Sequence, residues 1–393
     1  MISMEFVELT KVEFTRVQNK MVGNSFYQTV EWAEFKNIND WNYCYVGVKS
    51  NNVIVGATML LSKKFLFGKQ MFYAPRGFLI DYNNYELLKF FTIGLKKYIR
   101  NKGGFLVKID PLIEYKHHNN EGVVIDDGFS NESIYNALIK FGYKHKGFTV
   151  GYSSEAQFRW SYYLDINRTM VDLMANMDQR CRRCIRKSMK YPLIMVDVNN
   201  NNMDDFKRIM ESTANRQGHY DRSKDYYLSL KEKLGKRCKM VIVYLDKGKY
   251  LADFKDDKLY EVILKDGRDL IPISAGVFIF DKHKTNYVYG GTDAQYMSLM
   301  AQYKMQFEMI VLSMEKKLDI YDFGGISGNF KKGTPNYGVY EFKRGFGGYV
   351  VEYIGEFDLI TNYFIYYIFK LSYNFYRFLK KVKVKLSNLV GLY

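Results

Sequence analysis

Four cysteines in 393 residues, at 44, 181, 184 and 238, are too few and too scattered for a disulfide framework, as expected of a chain kept in a reducing cytoplasm. Cys181 and Cys184 form a C-x-x-C, but no second pair of cysteines or histidines stands at zinc-finger spacing, which argues against a metal site. Long apolar runs are missing as well. The longest, Tyr363 to Phe369, is far too short to span a bilayer. The opening MISMEFVELT has neither a cationic start nor an apolar stretch, so no signal peptide is expected. Negative charge is scarce: 42 Asp and Glu face 58 Lys and Arg, a formal net charge of +16. That imbalance points to polyanionic company such as nucleic acid, phosphate-bearing substrates or an anionic membrane surface. Lysine-rich surfaces also serve solubility alone, and an A/T-rich genome inflates lysine without a functional cause.

What is present is a folded chain, 47% hydrophobic and 17% aromatic, long enough for two domains. TVEWAEFKN reads as a helix start, and YCYVGVKS and VIVGATMLL as strands joined by the turn pair Asn51-Asn52. Leu87, Leu88, Phe91, Leu95, Tyr98 and Ile99 make a helical stripe that Gly103-Gly104 ends. GFLVKIDP then reads as a buried strand carrying Asp110 at its end, where a carboxylate either faces a cleft or caps a turn. A second unit begins near Gln157. Asp165 and Asn167 are candidate N-caps for one long helix running to Pro192, with six cations between Arg180 and Lys190. Such a run is either a solvated face or a grip on a phosphate backbone. Residues 294–316 carry the clearest helical periodicity, from Tyr296 to Met314. Each half thus shows strand hairpins, flanking helices and further strands, the rhythm of two similar α/β units.

The densest information lies between Leu318 and Leu359: LDIYDFGGISGN, then YGVYEFKRGFGGYVVEYIGEFDL. Glycines at that density permit sharp turns or close backbone approach. Lys343, set between Phe342 and Phe346, reads either as a snorkelling lysine on a pair of hairpins or as a charge in a partly dry pocket, where it acts more strongly on an anion than in water. From Thr361 the tail mixes aromatics with Lys370, Arg377, Lys380, Lys381, Lys383 and Lys385. It suits an interfacial helix on anionic lipid or a last helix packed on the first domain.

In order along the chain stand Gln28 to Lys36 (QTVEWAEFK), Tyr73 to Gly77 (YAPRG), Lys108 to Pro111 (KIDP), Arg182 to Lys187 (RRCIRK), ANRQG with Tyr220 and Arg222, Tyr287 to Thr292 (YVYGGT), and the YDFGG, YEFKRGFGG and GEFD series. Together they resemble the FemABX aminoacyltransferases. The resemblance implies an α/β (α+β) fold of two GNAT-like domains with mixed sheets. The first would be 1–156 plus 352–393, the chain's end returning to it and the acceptor bound there; the second would be 157–351. Leu228 to Tyr260 lacks sustained charged heptads, so the chain resembles the members without a coiled-coil arm.

The resemblance further implies transfer of an amino acid from aminoacyl-tRNA to the stem-peptide amine of a muramyl-peptide precursor, UDP- or lipid-linked, in building peptidoglycan bridges. No cofactor is expected, because the aminoacyl ester is already activated, and no metal. Lys343 matches the lysine given the donor's 3′ end and the oxyanion, with Phe342 beside it. Lys36 and Arg216 match positions holding the acceptor's diphosphate, with Tyr220 nearby. Asp110 matches a carboxylate near the reacting amine, either the general base or a bystander to substrate-assisted proton transfer. Arg76 and Tyr289 are further matches. The implied setting is the cytoplasm, at the inner face of the plasma membrane. Two rival readings stand beside this one. An acyl-CoA N-acyltransferase of GNAT type would need a pyrophosphate loop that Arg344 to Tyr349 fails to supply. A basic RNA- or membrane-binding module explains the charge but not Lys36, Asp110 and Lys343 together.

Overall fold

The structure is a computed structural model. It describes residues 4–152, 157–218 and 220–389, with side chains to Leu379 except Phe378. The chain divides into two compact units, one of Met1–Ile113, Asn131–Thr149 and Ile354–Tyr393, the other of Glu114–Ser130 and Val150–Tyr353. Residues 114–130, placed in the first domain by the sequence reading, thus group with the second unit.

Strands β1 (Met4–Leu9), β2 (Asn42–Ser50), β3 (Val53–Lys64), β4 (Gln70–Ala74) and β5 (Gly104–Ile109) open the chain. There follow β6 (Glu114–His117), β7 (Tyr143–His145), β8 (Trp160–Asp165), β9 (Leu193–Asp197) and β10 (Cys238–Asp246). The last are β11 (Leu270–Phe280), β12 (Lys284–Thr292), β13 (Ile320–Ile326), β14 (Tyr349–Tyr353) and β15 (Phe357–Ile360). The first unit holds a seven-stranded sheet in the order β1-β2-β3-β4-β5-β15-β7, and the second an eight-stranded one in the order β6-β14-β8-β13-β12-β11-β10-β9. Each sheet is antiparallel except for one parallel ladder: β4 with β5 in the first, β12 with β13 in the second. Both sheets therefore repeat one plan, four antiparallel strands, a parallel step, then antiparallel strands again. The mixed α/β fold expected from sequence is present in both units.

Local chemistry explains the elements. Asn51 and Asn52 both take positive φ, 48° and 64°, as a two-residue hairpin turn between β2 and β3 requires. Thr29 caps the helix Val30–Ile38 by accepting the N–H of Trp32. The helix Tyr85–Asn101 buries Leu87, Leu88, Phe91, Leu95 and Ile99, each contributing about 1.5–3 kcal/mol.

Three expectations are corrected. The basic segment is two helices, Met170–Asn176 and Gln179–Lys190, capped by Thr169 and Asp178; the Asp165 side chain instead accepts from the Asn167 N–H and Arg168. The periodic stretch 294–316 is a 3-10 segment, Ala294–Leu299, followed by Met300 at φ 58° and an α-helix, Ala301–Glu315. Lys343 lies not on a hairpin but on the helix Tyr337–Arg344. Around Leu228 to Tyr260, where the sequence lacks charged heptads, the helices are short: Lys224–Leu234, Lys247–Asp253 and Tyr260–Lys265. Among the described residues no helix is long and apolar enough to cross a membrane. The side chains of Lys380, Lys381, Lys383 and Lys385 lie outside the described residues.

Candidate functional site

In the second unit the chemistry gathers around Lys343. Its helix carries Tyr340 and Lys343 inward one turn apart, and Gly345 and Gly347 follow its end. Gly347 takes φ 78°, and a Cβ there would sit 2.3 Å from the Asn176 carbonyl, so this turn needs glycine. Lys343 is 5% exposed, and its Nζ donates to the carbonyls of Gly324 (3.0 Å) and Gly325 (2.7 Å) on β13. Those glycines leave no room for side chains: a Cβ would meet the Tyr287 carbonyl at 2.7 Å at Gly324 and the Phe158 ring at 2.7 Å at Gly325. The parallel ladder of β12 and β13 stops at Asn286↔Asp322, so these carbonyls stand just past its end.

Burial pulls the Lys343 ammonium down to about 7, opposed by the Asp322 carboxylate. Two hydrogen bonds to carbonyls use two of the three outer positions on the nitrogen. The third is an N–H when the group is charged and a lone pair when it is neutral. Asp322 is itself held by Ser161 Oγ (2.6 Å) and the Gly324 N–H (2.7 Å). Phe342 packs edge-on to Tyr303 (4.9 Å between centroids) and Phe346 (5.5 Å), walling this side with aromatics.

Elsewhere in the same unit, Arg216 Nη1 donates to the Thr292 carbonyl at the end of β12 (2.9 Å). Tyr289, on that strand, meets the Tyr226 hydroxyl at 3.0 Å, and the Arg222 guanidinium lies 5.2 Å from the Tyr226 ring. Tyr220 is 68% exposed. Arg216 and Tyr289 are thus brought to one strand end, with Arg222 added. Of the six cations on the helix Gln179–Lys190, Arg182 turns back to the carbonyls of Met174, Ala175 and Met177, and Arg180 pairs with Glu341 on the Lys343 helix. Arg183, Arg186 and Lys190 remain exposed on one face. Cys181 and Cys184 face the core, where burial pushes the Cys181 thiol up.

In the first unit the parallel ladder ends at Ala74↔Ile109, and the next residues of both strands form a second cluster. Asp110 is 4% exposed; Oδ1 accepts from the Arg76 N–H (2.7 Å) and Oδ2 from the Tyr73 hydroxyl (2.8 Å). Burial raises its carboxyl above the ordinary range, against the lowering by the Arg76 guanidinium and these donors. Arg76 takes φ 53°, and the buried Gln28 amide steadies its turn by donating to the Pro75 carbonyl (2.9 Å). Lys36 stands in an aromatic setting, its Nζ 5.7 Å from the Trp41 ring and 6.0 Å from Trp32; Lys63 stands 5.0 Å from the same Trp41. Sequence reasoning missed Gln28, Tyr73, Lys63 and Asp322. Gln28, Tyr73 and Asp322 lie inside the quoted motifs, but only the fold shows that they hold Asp110, Arg76 or Lys343. Lys63 had no local signal.

The FemAB family model matches residues 9–260 and 253–381. The chain belongs to the FemAB family. Its relatives there include the aminoacyltransferase FemA of Staphylococcus epidermidis, 29% identical over 97% of this chain and 100% of that protein, and FemB of the same species, 27% identical over 93% and 97%. The FemA alignment runs over 425 positions, more than this FemAB chain has residues, so the relative carries sequence that this chain lacks. A crystal structure of FemX matches with a TM-score of 0.78 at 23% identity, covering 93% of this chain and 99% of that one. A tandem GNAT protein from the clavulanic acid pathway matches at 0.50 and 9% identity, over 92% and 99%, and bears on the fold alone.

Proposed function

We propose that this chain, an aminoacyltransferase of the FemAB family, moves an amino acid from aminoacyl-tRNA to the stem-peptide amine of a UDP- or lipid-linked muramyl peptide, building peptidoglycan bridges. The observation that carries this reading is Lys343: a buried amine with two positions bonded to carbonyls and one left to act.

The acceptor nitrogen attacks the ester carbonyl carbon, and the carbonyl pair moves onto oxygen. Charged Lys343 offers its third N–H to that oxyanion, in a setting where low dielectric strengthens the contact. Collapse breaks the bond to the ribose oxygen, which takes up the proton that the attacking amine gives away. Within the first unit, Asp110, with raised proton affinity, is the carboxylate we assign as proton acceptor for the acceptor's amine. The ester brings its own activation, so we ascribe no cofactor to the reaction. Arg183, Arg186 and Lys190 contact the phosphates of the donor RNA. Phe342 walls the donor site. Lys36, with Lys63, in the first unit and, separately, Arg216, with Tyr220 and Tyr289, in the second are the anion-binding groups we offer to the acceptor's diphosphate; Arg76 keeps the Asp110 turn in place. The protein works in the cytoplasm at the inner membrane face, its basic C-terminal tail against anionic lipid.

The test is transfer from charged total tRNA to each precursor, with the product identified by mass. Wild type adds a residue. Lys343→Ala, folded by circular dichroism, loses on the order of 10²–10³ in rate, as removal of an oxyanion donor does. Transfer by Lys343→Ala at the wild-type rate would overturn the assignment.

A further inference from the structure

We infer that the first unit docks on an anionic bilayer through an apolar face that joins the C-terminal helix Tyr363–Leu389 to the tip of the β3–β4 hairpin. The helix has two apolar sides. One is buried: Ile365 and Tyr366 are inside, and Phe369 packs on Phe65 (5.2 Å) and Phe105 (5.4 Å). The other is bare. Phe364, Tyr367, Leu371 and Phe375, at three- and four-residue spacing, are 73%, 51%, 71% and 63% exposed, and Leu379 continues the stripe one turn on.

The hairpin supplies an independent observation. Phe65 anchors its tip to the helix, and the next residues, Leu66 and Phe67, point into solvent at 49% and 86% exposure. Phe67 takes φ 56°, a region glycine and asparagine adopt readily and an aromatic residue does not. No core packing offsets that strain. An exposed aromatic held at a loop tip, and an exposed aromatic stripe on the helix to which the neighbouring Phe65 is anchored, are both unfilled apolar surface.

Charge decides what fills it. Lys64 and Lys69 flank the hairpin tip along the chain, Lys370 and Arg377 lie among the stripe residues on the helix, and neither 62–71 nor 361–389 contains a carboxylate. Two copies of the chain meeting here would oppose like charges. A bilayer of anionic lipid offers phosphates to the lysines and hydrocarbon to the rings. The inference rests on the membrane contact proposed above and names its face; it does not rest on the transfer chemistry.

The test is flotation of the full chain with vesicles of phosphatidylglycerol and phosphatidylcholine, compared with phosphatidylcholine alone. Wild type floats with the anionic vesicles. Phe67→Asn, which suits the backbone better and keeps the fold, weakens partitioning at least threefold, and Leu371→Glu with Phe375→Glu at least tenfold. If salt releases the protein but these variants float as wild type does, the contact is the basic tail alone and this face is refuted. Wild type failing to float refutes both the face and the membrane contact, while transfer to a soluble acceptor stays measurable separately. If the variants instead dissolve a dimer seen by sedimentation, the occupant is a second copy and the lipid inference falls.

Discussion

Asp110 in the first unit and Lys343 in the second both stand just beyond the end of a parallel ladder, and both are buried. Their surroundings differ. Asp110 meets a hydroxyl, a backbone N–H and a guanidinium, all favouring its charge. Lys343 meets two carbonyl dipoles and the charge of Asp322. A carboxylate crowded by donors is held in place. A lysine held by carbonyls alone is poised between charged and neutral, which suits it to hydrogen-bond with a passing anion. One sheet plan, used twice, thus buries an anion among donors and a cation among carbonyls, and burial pushes both toward their neutral forms.

The comparison can be broken most sharply through stability. The folded pKa of Lys343, about 7, lies below its ordinary 10.5, so the unfolded chain binds a proton that the folded chain releases across that window. Stability contributed at this site therefore rises with pH. Relative to Lys343→Met, wild type is expected to gain about 4 kcal/mol between pH 7 and pH 10.5, read by denaturant unfolding at each pH. Asp110 has the reverse sign: its carboxyl is raised, so wild type gains on Asp110→Asn as pH falls from neutrality. Equal responses in both units would erase the distinction.

A second experiment separates the proposed contacts by substrate. Replacing Arg183, Arg186 and Lys190 by Ala is expected to raise KM for the charged tRNA roughly tenfold and to flatten its salt dependence by about three ions. Replacing Lys36 and Lys63 is expected to raise KM for the muramyl peptide and leave that for tRNA unchanged. A crossed result would reassign those side chains. The smallest effect tests the Lys343 setting itself. Asp322→Asn removes the carboxylate that favours the ammonium, so the loss of transfer as pH rises through about 7 should move to lower pH. A pH–rate profile unmoved by Asp322→Asn would exclude Lys343 as its source.

Much of this was legible where signals were local. Asn51-Asn52 announced the hairpin, and the run from Gly104 placed Asp110 at a strand end. Other features were hidden by competing periodicities. A 3-10 turn and an α-helix both repeat near three residues, so the stretch through Met300 read as one helix although its backbone reverses there. The Lys343 helix has eight residues, begins at a left-handed Asn336 without a side-chain cap and sits among glycines, so nothing local marked it as helical. The partners of the key groups, Tyr73 for Asp110 and the Gly324 and Gly325 carbonyls for Lys343, are non-local, and spacing along the chain carries no trace of them.

One strand carries a consequence for how the protein comes into being. β15, Phe357–Ile360, lies between β5 and β7, bonded to both. During synthesis every other described strand of either sheet leaves the ribosome before it, so the second sheet can close while the first still has a gap between β5 and its edge strand β7. Until residue 360 emerges, β5 and β7 have no partner on their facing sides, and those open edges invite wrong pairings.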